Sequence, residues 1–276
     1  MHHYAAMPGW YDWAYSLSEA ALLLVSLLAV ACITSLAFGI VAAYRGRPSR
    51  ATASTLPPAF VSAIALPVSL LIGFLVNDVW HHYNDAQDGV VKEAATVAEA
   101  TRAIAQLPRG AAEELGALLD RYVNHDLKRD WAVYQTRSNP VETRSALNEM
   151  EFRVAQLQIE LASHTVAQAA LKVLTDDLND LERLRKSRMH LSVGRIDNPR
   201  WFTLGLLLLC CAVALTEVIY GQARDHALIV ALFTFSFGSL VYVLLTNDRP
   251  FSGSTIISPE PILEAYVNQR EALAQR

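Results

Sequence analysis

The sequence predicts an all-α membrane protein with four transmembrane helices and a helical extramembrane domain between the second and the third. The 276 residues are 53% hydrophobic, with a mean hydropathy of +0.23, which is too apolar for an ordinary soluble protein. Four apolar runs each reach the roughly 20 residues that cross a bilayer, and a long charged stretch separates the first pair from the second. No stretch alternates like a strand, and no internal repeat is visible.

The predicted segments divide the chain into five parts. They are an interfacial N-terminus at 1–17, transmembrane helices 1 and 2 within 18–80, a helical extramembrane domain at 81–199, transmembrane helices 3 and 4 within 200–246, and a C-terminal tail at 247–276. The N-terminus is rich in Trp and Tyr, which favour the membrane–water interface.

The four spans are predicted at about 18–44, 57–79, 200–221 and 226–246. Ser18 is a suitable N-cap for the first span, and Pro58 suits the first turn of the second, where a missing amide hydrogen costs least. A polar loop at 45–55 joins them.

Glu217 in the third span either has a function or simply reaches water near the helix end, and we expect that it reaches water. The link at 221–225 is short, so spans three and four form an antiparallel hairpin.

The extramembrane domain is predicted to contain three helices. The first continues the second span to a break at Pro108–Gly110, the second covers about 111–134, and the third covers about 141–190 after a turn at Ser138–Pro140. The leucines of the third helix alternate in spacing between three and four residues and form a leucine seam on one face. Such a short repeat favours packing within the chain over an oligomeric coiled coil. The seam residues are Leu171, Leu174, Leu178 and Leu181. A charged helix is predicted from about Ile262 in the tail.

Charge, cysteines and motifs exclude several function classes. The net charge of −4 is small and gives no electrostatic footprint of nucleic-acid binding. Cys32, Cys210 and Cys211 lie in apolar runs without zinc-site spacing. His81 and His82 are adjacent, so on a helix they point about 100° apart and do not readily share an ion. No nucleophile-elbow, Walker or zinc-protease motif occurs, so neither an enzyme nor a metal or cofactor is expected.

The second span carries two neighbouring stripes. Leu66, Leu70 and Phe74 recur every four residues and therefore share one face of a helix. Ser69 and Gly73 form the adjacent stripe, which is small enough for another helix to approach closely. A bulky apolar ridge usually faces lipid or a core, but this division also suits a helix that lines a narrow pore in an oligomer.

Two motifs carry a resemblance to a known family. The residues that resemble the pore helix of the bestrophin family are Pro67, Val68, Ser69, Gly73, Phe74, Val76, Trp80 and Tyr83. The string Asp248-Arg249-Pro250-Phe251-Ser252-Gly253 and the order of the helices resemble uncharacterised bacterial bestrophin-like membrane proteins. The site residues that the resemblance implies are the pore neck (Leu66, Leu70 and Phe74), the packing and hinge positions (Pro67, Ser69 and Gly73) and the pore mouth (Asn77, Asp78 and Trp80).

The resemblance implies a homo-oligomeric ion channel, pentameric by analogy, in a bacterial inner membrane. The positive charges near the span ends give a mixed prediction of orientation, and the resemblance favours a cytoplasmic middle domain. Chloride or another small anion is expected from the family. The pore helix shows no basic ring, however, and Asp78 would favour cations, so a monovalent cation channel is an alternative. A non-conducting scaffold or sensor is a rival of another class, and the lack of inverted repeats argues against a secondary transporter.

The C-terminal motif has an expected structural role. Phe251 is expected to insert into the helical domain, while Asp248 and Arg249 make polar contacts at the membrane edge. Pro250 and Gly253 complete the motif. In metazoan bestrophins an acidic run after a similar motif binds calcium, but residues 252–259 contain no acid, so that site is not expected here.

Overall fold

The computed structural model describes residues 9–46, 57–136, 146–219, 226–253 and 256–275, and within these ranges every regular element is a helix. In chain order the elements are α1 (Gly9–Tyr15), α2 (Glu19–Arg45), α3 (Pro58–Ile104), α4 (Arg109–Arg121), a π-helical turn (Tyr122–Asp126), α5 (Leu127–Thr136), α6 (Ala146–Glu160), α7 (Thr165–Leu191), α8 (Asn198–Ile219), α9 (His226–Asn247) and α10 (Glu260–Ala274). The predicted all-α architecture is confirmed.

Four helices of the described part are long and apolar enough to cross a membrane. They are Glu19–Arg45, Ala59–Ile104, Asn198–Ile219 and Ala227–Asn247. The predicted loop at 45–55, turn at Ser138–Pro140 and link at 221–225 lie wholly or largely outside the described residues.

The chain forms two compact units. Unit 1 contains residues 1–82 and 194–249, and unit 2 contains residues 83–193 and 250–276. Helix α3 contributes its first half to unit 1 and its second half to unit 2 without a break. Its 47 residues are more than twice the roughly 20 that cross a bilayer core.

Unit 1 holds the spanning helices. Ser18 caps α2 as predicted, because its Oγ accepts a hydrogen bond from the amide of Ala21 at 3.4 Å. Helix α2 packs on both α8 and α9. A Cβ built on Gly238 would lie 2.7 Å from Cδ2 of Leu27 and 3.0 Å from its Cα, so only glycine allows α9 this close to α2.

Glu217 differs from its prediction. Rather than simply reaching water, its carboxylate pairs with the Arg45 guanidinium at 2.7 Å, and both side chains are largely buried. The pair joins the last turn of α2 to the last turn of α8. A charge placed near the membrane is thereby neutralised within the chain.

Unit 2 is a helical bundle around one apolar core. Its fully buried leucines include Leu115, Leu119, Leu147, Leu171, Leu174, Leu178 and Leu181. The single helix predicted over 141–190 is wrong, because α6 ends at Glu160 and α7 begins at Thr165. The two helices then pack on each other, and the leucine seam of α7 faces this core within the chain.

A buried acid lies in the middle of α7. Asp177 is 7% exposed, and its Oδ2 accepts no hydrogen bond from the described residues. Burial raises the pKa of Asp177 to about 6, and the negative charges of Glu99, Asp180 and Asp176 add to this effect, while Arg102 opposes it.

Candidate functional site

Helix α3 has one buried and one exposed face in unit 1. Val68, Ile72, Leu75 and Val79 are buried against residues of α8 and α9. The predicted neck residues lie on the other face, where Leu66 is 68%, Leu70 57% and Phe74 65% exposed. The ridge that the sequence indicates is therefore present, and the cores formed by the described residues leave it exposed.

The small stripe next to this ridge is also exposed. Ser69 donates its hydroxyl to the carbonyl of Ala65 at 3.0 Å, which is one turn back in the same helix. A Cβ at Gly73 would meet nothing within 4 Å. Pro67 lies inside α3, which continues through it as a helix. Among the described residues, no other helix packs closely against Ser69 and Gly73.

The predicted mouth residues have different surroundings. Asn77 and Trp80 are exposed. Asp78 instead pairs with Arg195, which precedes α8, at 3.2 Å and with Arg200, in the first turn of α8, at 3.3 Å. Two guanidinium groups offset its charge, so Asp78 is a weaker source of negative potential than its sequence position indicates.

The exposed face of α3 continues beyond the ridge and becomes polar. Its exposed residues at three- and four-residue spacing are Asn77, His81, Asn84, Asp88 and Val91. Asp85 is exposed beside them, and no Lys or Arg occurs between Pro58 and Val91. The exposed residues of α3 are thus bulky and apolar at 66–74 in unit 1 and mostly polar or acidic at 84–91 in unit 2.

Asp248 of the C-terminal motif is completely buried in unit 1. Its carboxylate accepts hydrogen bonds from the hydroxyl of Tyr11 and from the amides of Arg195 at 2.8 Å and Ile196 at 2.9 Å. Burial raises the pKa of Asp248 to about 6, although these hydrogen bonds lower it. The contact fixes α1 at the end of α9, because Tyr11 belongs to α1.

Arg249 stacks on the same interfacial helix. Its guanidinium carbon lies 4.4 Å from the ring centre of Tyr11 and 4.5 Å from that of Tyr15, which is cation–π geometry. The aromatic residues that the sequence indicates as interfacial anchors thus also hold the motif that follows α9.

The second half of the motif belongs to unit 2. Phe251 is completely buried, with ring centres 5.6 Å from both Trp131 and Tyr134. Ser252 donates its hydroxyl to the Tyr134 carbonyl at 2.8 Å. Gly253 has φ of 94°, a left-handed backbone that favours glycine and explains its place in the motif.

A buried ionic network, which the sequence interpretation missed, holds the second half of α3. Arg188 of α7, 3% exposed, pairs with Glu93 of α3, 1% exposed, and with Asp130 of α5 at 3.3 Å. Arg185 binds the same Asp130 at 2.6 Å. The hydroxyl of Tyr122, in the π-helical turn, also donates to Glu93.

Aromatic side chains also contact the charged residues of this network. The Arg188 guanidinium carbon lies 4.5 Å from the Trp131 ring centre. Burial and the neighbouring Glu93 charge raise the pKa of Tyr122, which keeps its hydroxyl a hydrogen-bond donor. The sequence does contain a signal for the pair, since Arg188 continues the Leu174–Leu181 repeat by seven residues and Glu93 falls on the apolar face of α3.

His81 is exposed and His82 buried, so the pair points to two environments. Among the described residues, no three His, Cys, Asp or Glu side chains lie together as a group that could hold a metal ion.

Comparison with known proteins agrees with the resemblance. The family model of the Bestrophin-like domain matches residues 27–262. A point variant of a bacterial bestrophin homolog from Klebsiella pneumoniae is similar with a TM-score of 0.67 at 12% identity, covering 92% of this chain and 99% of that one. Another variant gives 0.64 at 13% identity, covering 94% and 99%. A structure described only as a membrane protein gives 0.65 at 12% identity, covering 92% and 99%. No curated protein matches the chain.

Proposed function

Because the chain belongs to the Bestrophin-like family, we propose that it is a subunit of an oligomeric ion channel whose central pore is lined by α3. The observation that carries the proposal is the exposed ridge of Leu66, Leu70 and Phe74. An α3 face that the described residues leave exposed is available to face a shared axis when several copies assemble. A pentamer is our proposal for the number of copies, by analogy with the family.

A ring of such ridges acts as an apolar neck. An ion that enters a narrow apolar throat loses hydration without gaining polar partners, and water leaves such a throat readily. The neck therefore conducts only when it widens. Pro67 and Gly73 flank its central residue Leu70 and supply the backbone positions at which α3 bends, because Pro67 removes one helical hydrogen bond.

The continuity of the exposed face distinguishes α3 from the other spans. Exposed leucines and phenylalanines on the other spans, such as Leu232 and Phe235 of α9, are expected where a helix meets lipid. On α3 the exposed face goes on through Asn84 and Asp88, beyond the apolar run. A face that is first apolar and then polar suits a neck followed by a water-filled vestibule in unit 2.

Two kinds of ion are candidates. The family resemblance favours chloride or another small anion. The residues of α3 favour monovalent cations, because Asp85 and Asp88 are exposed on the vestibule side and Lys92 is the first basic residue of the helix. Asp78 is paired with two arginines. We therefore expect Asp85 and Asp88, rather than Asp78, to determine the ion selectivity.

The chain is a multi-pass membrane protein with four apolar helices. We place it in a bacterial inner membrane with unit 2 in the cytoplasm. Single cysteines at Ser49 and Ser138 test the orientation in intact cells. A membrane-impermeant thiol reagent should label the Ser49→Cys chain alone, whereas labelling of the Ser138→Cys chain would reverse the orientation.

Conduction is tested with the purified chain in planar bilayers under asymmetric salt. Leu70→Ala and Phe74→Ala widen the proposed neck and should raise the current several-fold. Leu232→Ala and Phe235→Ala are matched controls, because the wild-type side chains are 58% and 64% exposed, and should leave the current unchanged. The sign of the reversal potential separates anions from cations. Absence of current from an intact oligomer would favour a non-conducting scaffold.

A further inference from the structure

One titratable side chain shares the exposed face of α3 with the apolar ridge. His81 follows Phe74 by seven residues and Asn77 by four, and these spacings keep side chains on one face of a helix. All three are exposed, and all three belong to unit 1. At about 1.5 Å per residue, His81 lies roughly 10 Å along the helix from Phe74, the last residue of the proposed neck.

His81 is also the residue through which this face can gain a positive charge. No Lys or Arg occurs between Pro58 and Val91, and the neighbouring imidazole of His82 is buried. Imidazole is the side chain that ordinarily takes up a proton between about pH 5 and 8. The exposed face of α3 in unit 1 therefore carries no basic charge while His81 is neutral and gains one when His81 is protonated.

The other charges near His81 come from α3 and from the start of α8. Asp78, three residues before it, is paired with Arg195 and Arg200, which offset its charge. Arg200 also pairs with an acid of its own helical turn. Asp85, four residues after His81, is exposed. Carboxylates and guanidinium groups that reach water keep their charges between about pH 5 and 8, so the imidazole is the group of this set that changes.

We propose that His81 makes the ion preference of the pore depend on pH. The inference rests on the proposed channel, in which every copy turns this face of α3 to the shared axis. Each copy then contributes one imidazole to a ring next to the neck. Protonation converts that ring into a set of positive charges, which repels cations and raises the local concentration of anions.

Two protonation states account for the two candidate ions. With His81 neutral, the exposed carboxylates of Asp85 and Asp88 leave the pore favourable to monovalent cations. With His81 protonated, the ring of imidazolium groups makes chloride the favoured ion. The imidazolium groups of neighbouring copies repel one another, so the change with pH is gradual rather than abrupt. His81 is thus a residue that determines specificity, and the proton is its ligand.

Reversal potentials test the inference on the purified full chain. They are measured in planar bilayers under a potassium chloride gradient, at about pH 8 and about pH 5.5 in both chambers, on either side of the imidazole range. The chloride-to-potassium permeability ratio of the wild type should rise about tenfold at the lower pH. In His81→Gln, which cannot take up the proton, the ratio should stay at its higher-pH value. His164→Gln removes another exposed imidazole, outside α3, and should behave as the wild type.

A fixed charge provides a second test that does not depend on titration. Cys32, Cys210 and Cys211 are replaced by Ala, and His81→Cys is added. The assembled channel is then treated with a cationic or an anionic methanethiosulfonate reagent. The cationic adduct should give the chloride preference at both pH values, whereas the anionic adduct should give a potassium preference at both. Because the charge is added after assembly, a charged residue need not be tolerated during folding.

Two buried acids provide the competing explanation for any effect of pH. Burial raises the pKa of Asp177 and of Asp248 to about 6, so both exchange protons in the same range. A change of ion preference with pH that persists in His81→Gln would overturn the inference and implicate these acids. Thermal melting of His81→Gln should match that of the wild type, since the side chain is exposed.

The outcomes separate this inference from the channel proposal. A current whose reversal potential is the same at both pH values would overturn the role of His81 and leave the channel standing. A conducting His81→Cys channel whose thiol does not react with either charged reagent would also overturn it, because the position would then not face water. Absence of current from an intact oligomer contradicts both proposals.

Discussion

Replacing Arg188 by Met tests whether the buried ionic network holds the second half of α3. Arg188 and its partner Glu93 are 3% and 1% exposed, and Asp130 is also buried. Met retains much of the length and apolar stem of Arg. The substitution removes the cation from two acids that stay inside the protein, and it also removes the stacking on Trp131.

The expected loss of stability is large. Removing one partner of a buried ion pair costs about 3–5 kcal/mol, because the remaining charge has no compensation. At about 2–4 °C per kcal/mol for a chain of this size, Tm should fall by on the order of 10 °C. Tm is measured on the full chain in detergent by intrinsic fluorescence. Arg183→Met is the control on the same helix. The Arg183 side chain is 75% exposed and pairs with the exposed Asp180, so its loss should cost less than about 1 kcal/mol.

A double variant shows whether the loss belongs to the pair. The double variant Arg188→Met/Glu93→Gln no longer contains the uncompensated Glu93 carboxylate. Its loss of unfolding free energy should therefore be smaller than the sum of the losses in the two single variants. Equal losses of stability in Arg188→Met and Arg183→Met would show that the buried network does not stabilise α3. Strictly additive losses in the double variant would show that Arg188 and Glu93 are not coupled.

Three further predictions follow from burial and close contact. Gly238→Leu should lower the free energy of unfolding by about 1–3 kcal/mol, because the new side chain forces α9 away from α2. Gly39→Leu is the control, because a Cβ there has open space, and its Tm should stay close to that of the wild type. Phe251→Ala should cost about 3–5 kcal/mol by leaving a cavity, against little change for the exposed Phe235→Ala, measured by the same melting. Because the folded pKa of Asp177 is about 6 and the unfolded value is ~3.9, the folded chain binds the extra proton between these values. Stability from this group is therefore greatest below pH 4 and declines up to pH 6, so a Tm series over pH 4–7 should show that decline in the wild type and its loss in Asp177→Asn.

The parts of the fold that could be predicted from the sequence are those that hydropathy controls. The four spans follow from the length of apolar runs, since a bilayer requires about 20 such residues. The ridge of Leu66, Leu70 and Phe74 follows from helical periodicity alone. Its exposure in the protomer agrees with a neck, while its role stays a prediction until conduction is measured.

The parts that could not be predicted depend on partners distant in the chain. The break between α6 and α7 has no Gly or Pro to mark it and arises because both helices gain by packing on each other. The two partners of Asp78 are 117 and 122 residues away, and the partner of Glu217 is 172 residues away, so a local sequence pattern does not show that these charges are neutralised. Arg188 and Glu93 each occupy a position of an apolar repeat. One such charged residue does not indicate a buried ion pair, but two of opposite charge considered together do.

We propose that Leu66, Leu70 and Phe74 face a water-filled pore in the assembled protein. Current recorded from Phe74→Cys channels, with the native cysteines replaced, tests it during application of a charged, water-soluble thiol reagent. We expect a rapid and lasting change of current for Phe74→Cys and none for Phe235→Cys. If the reagent leaves the Phe74→Cys current unchanged, and the thiol reacts only with a lipid-soluble reagent, the ridge faces lipid and α3 does not line the pore.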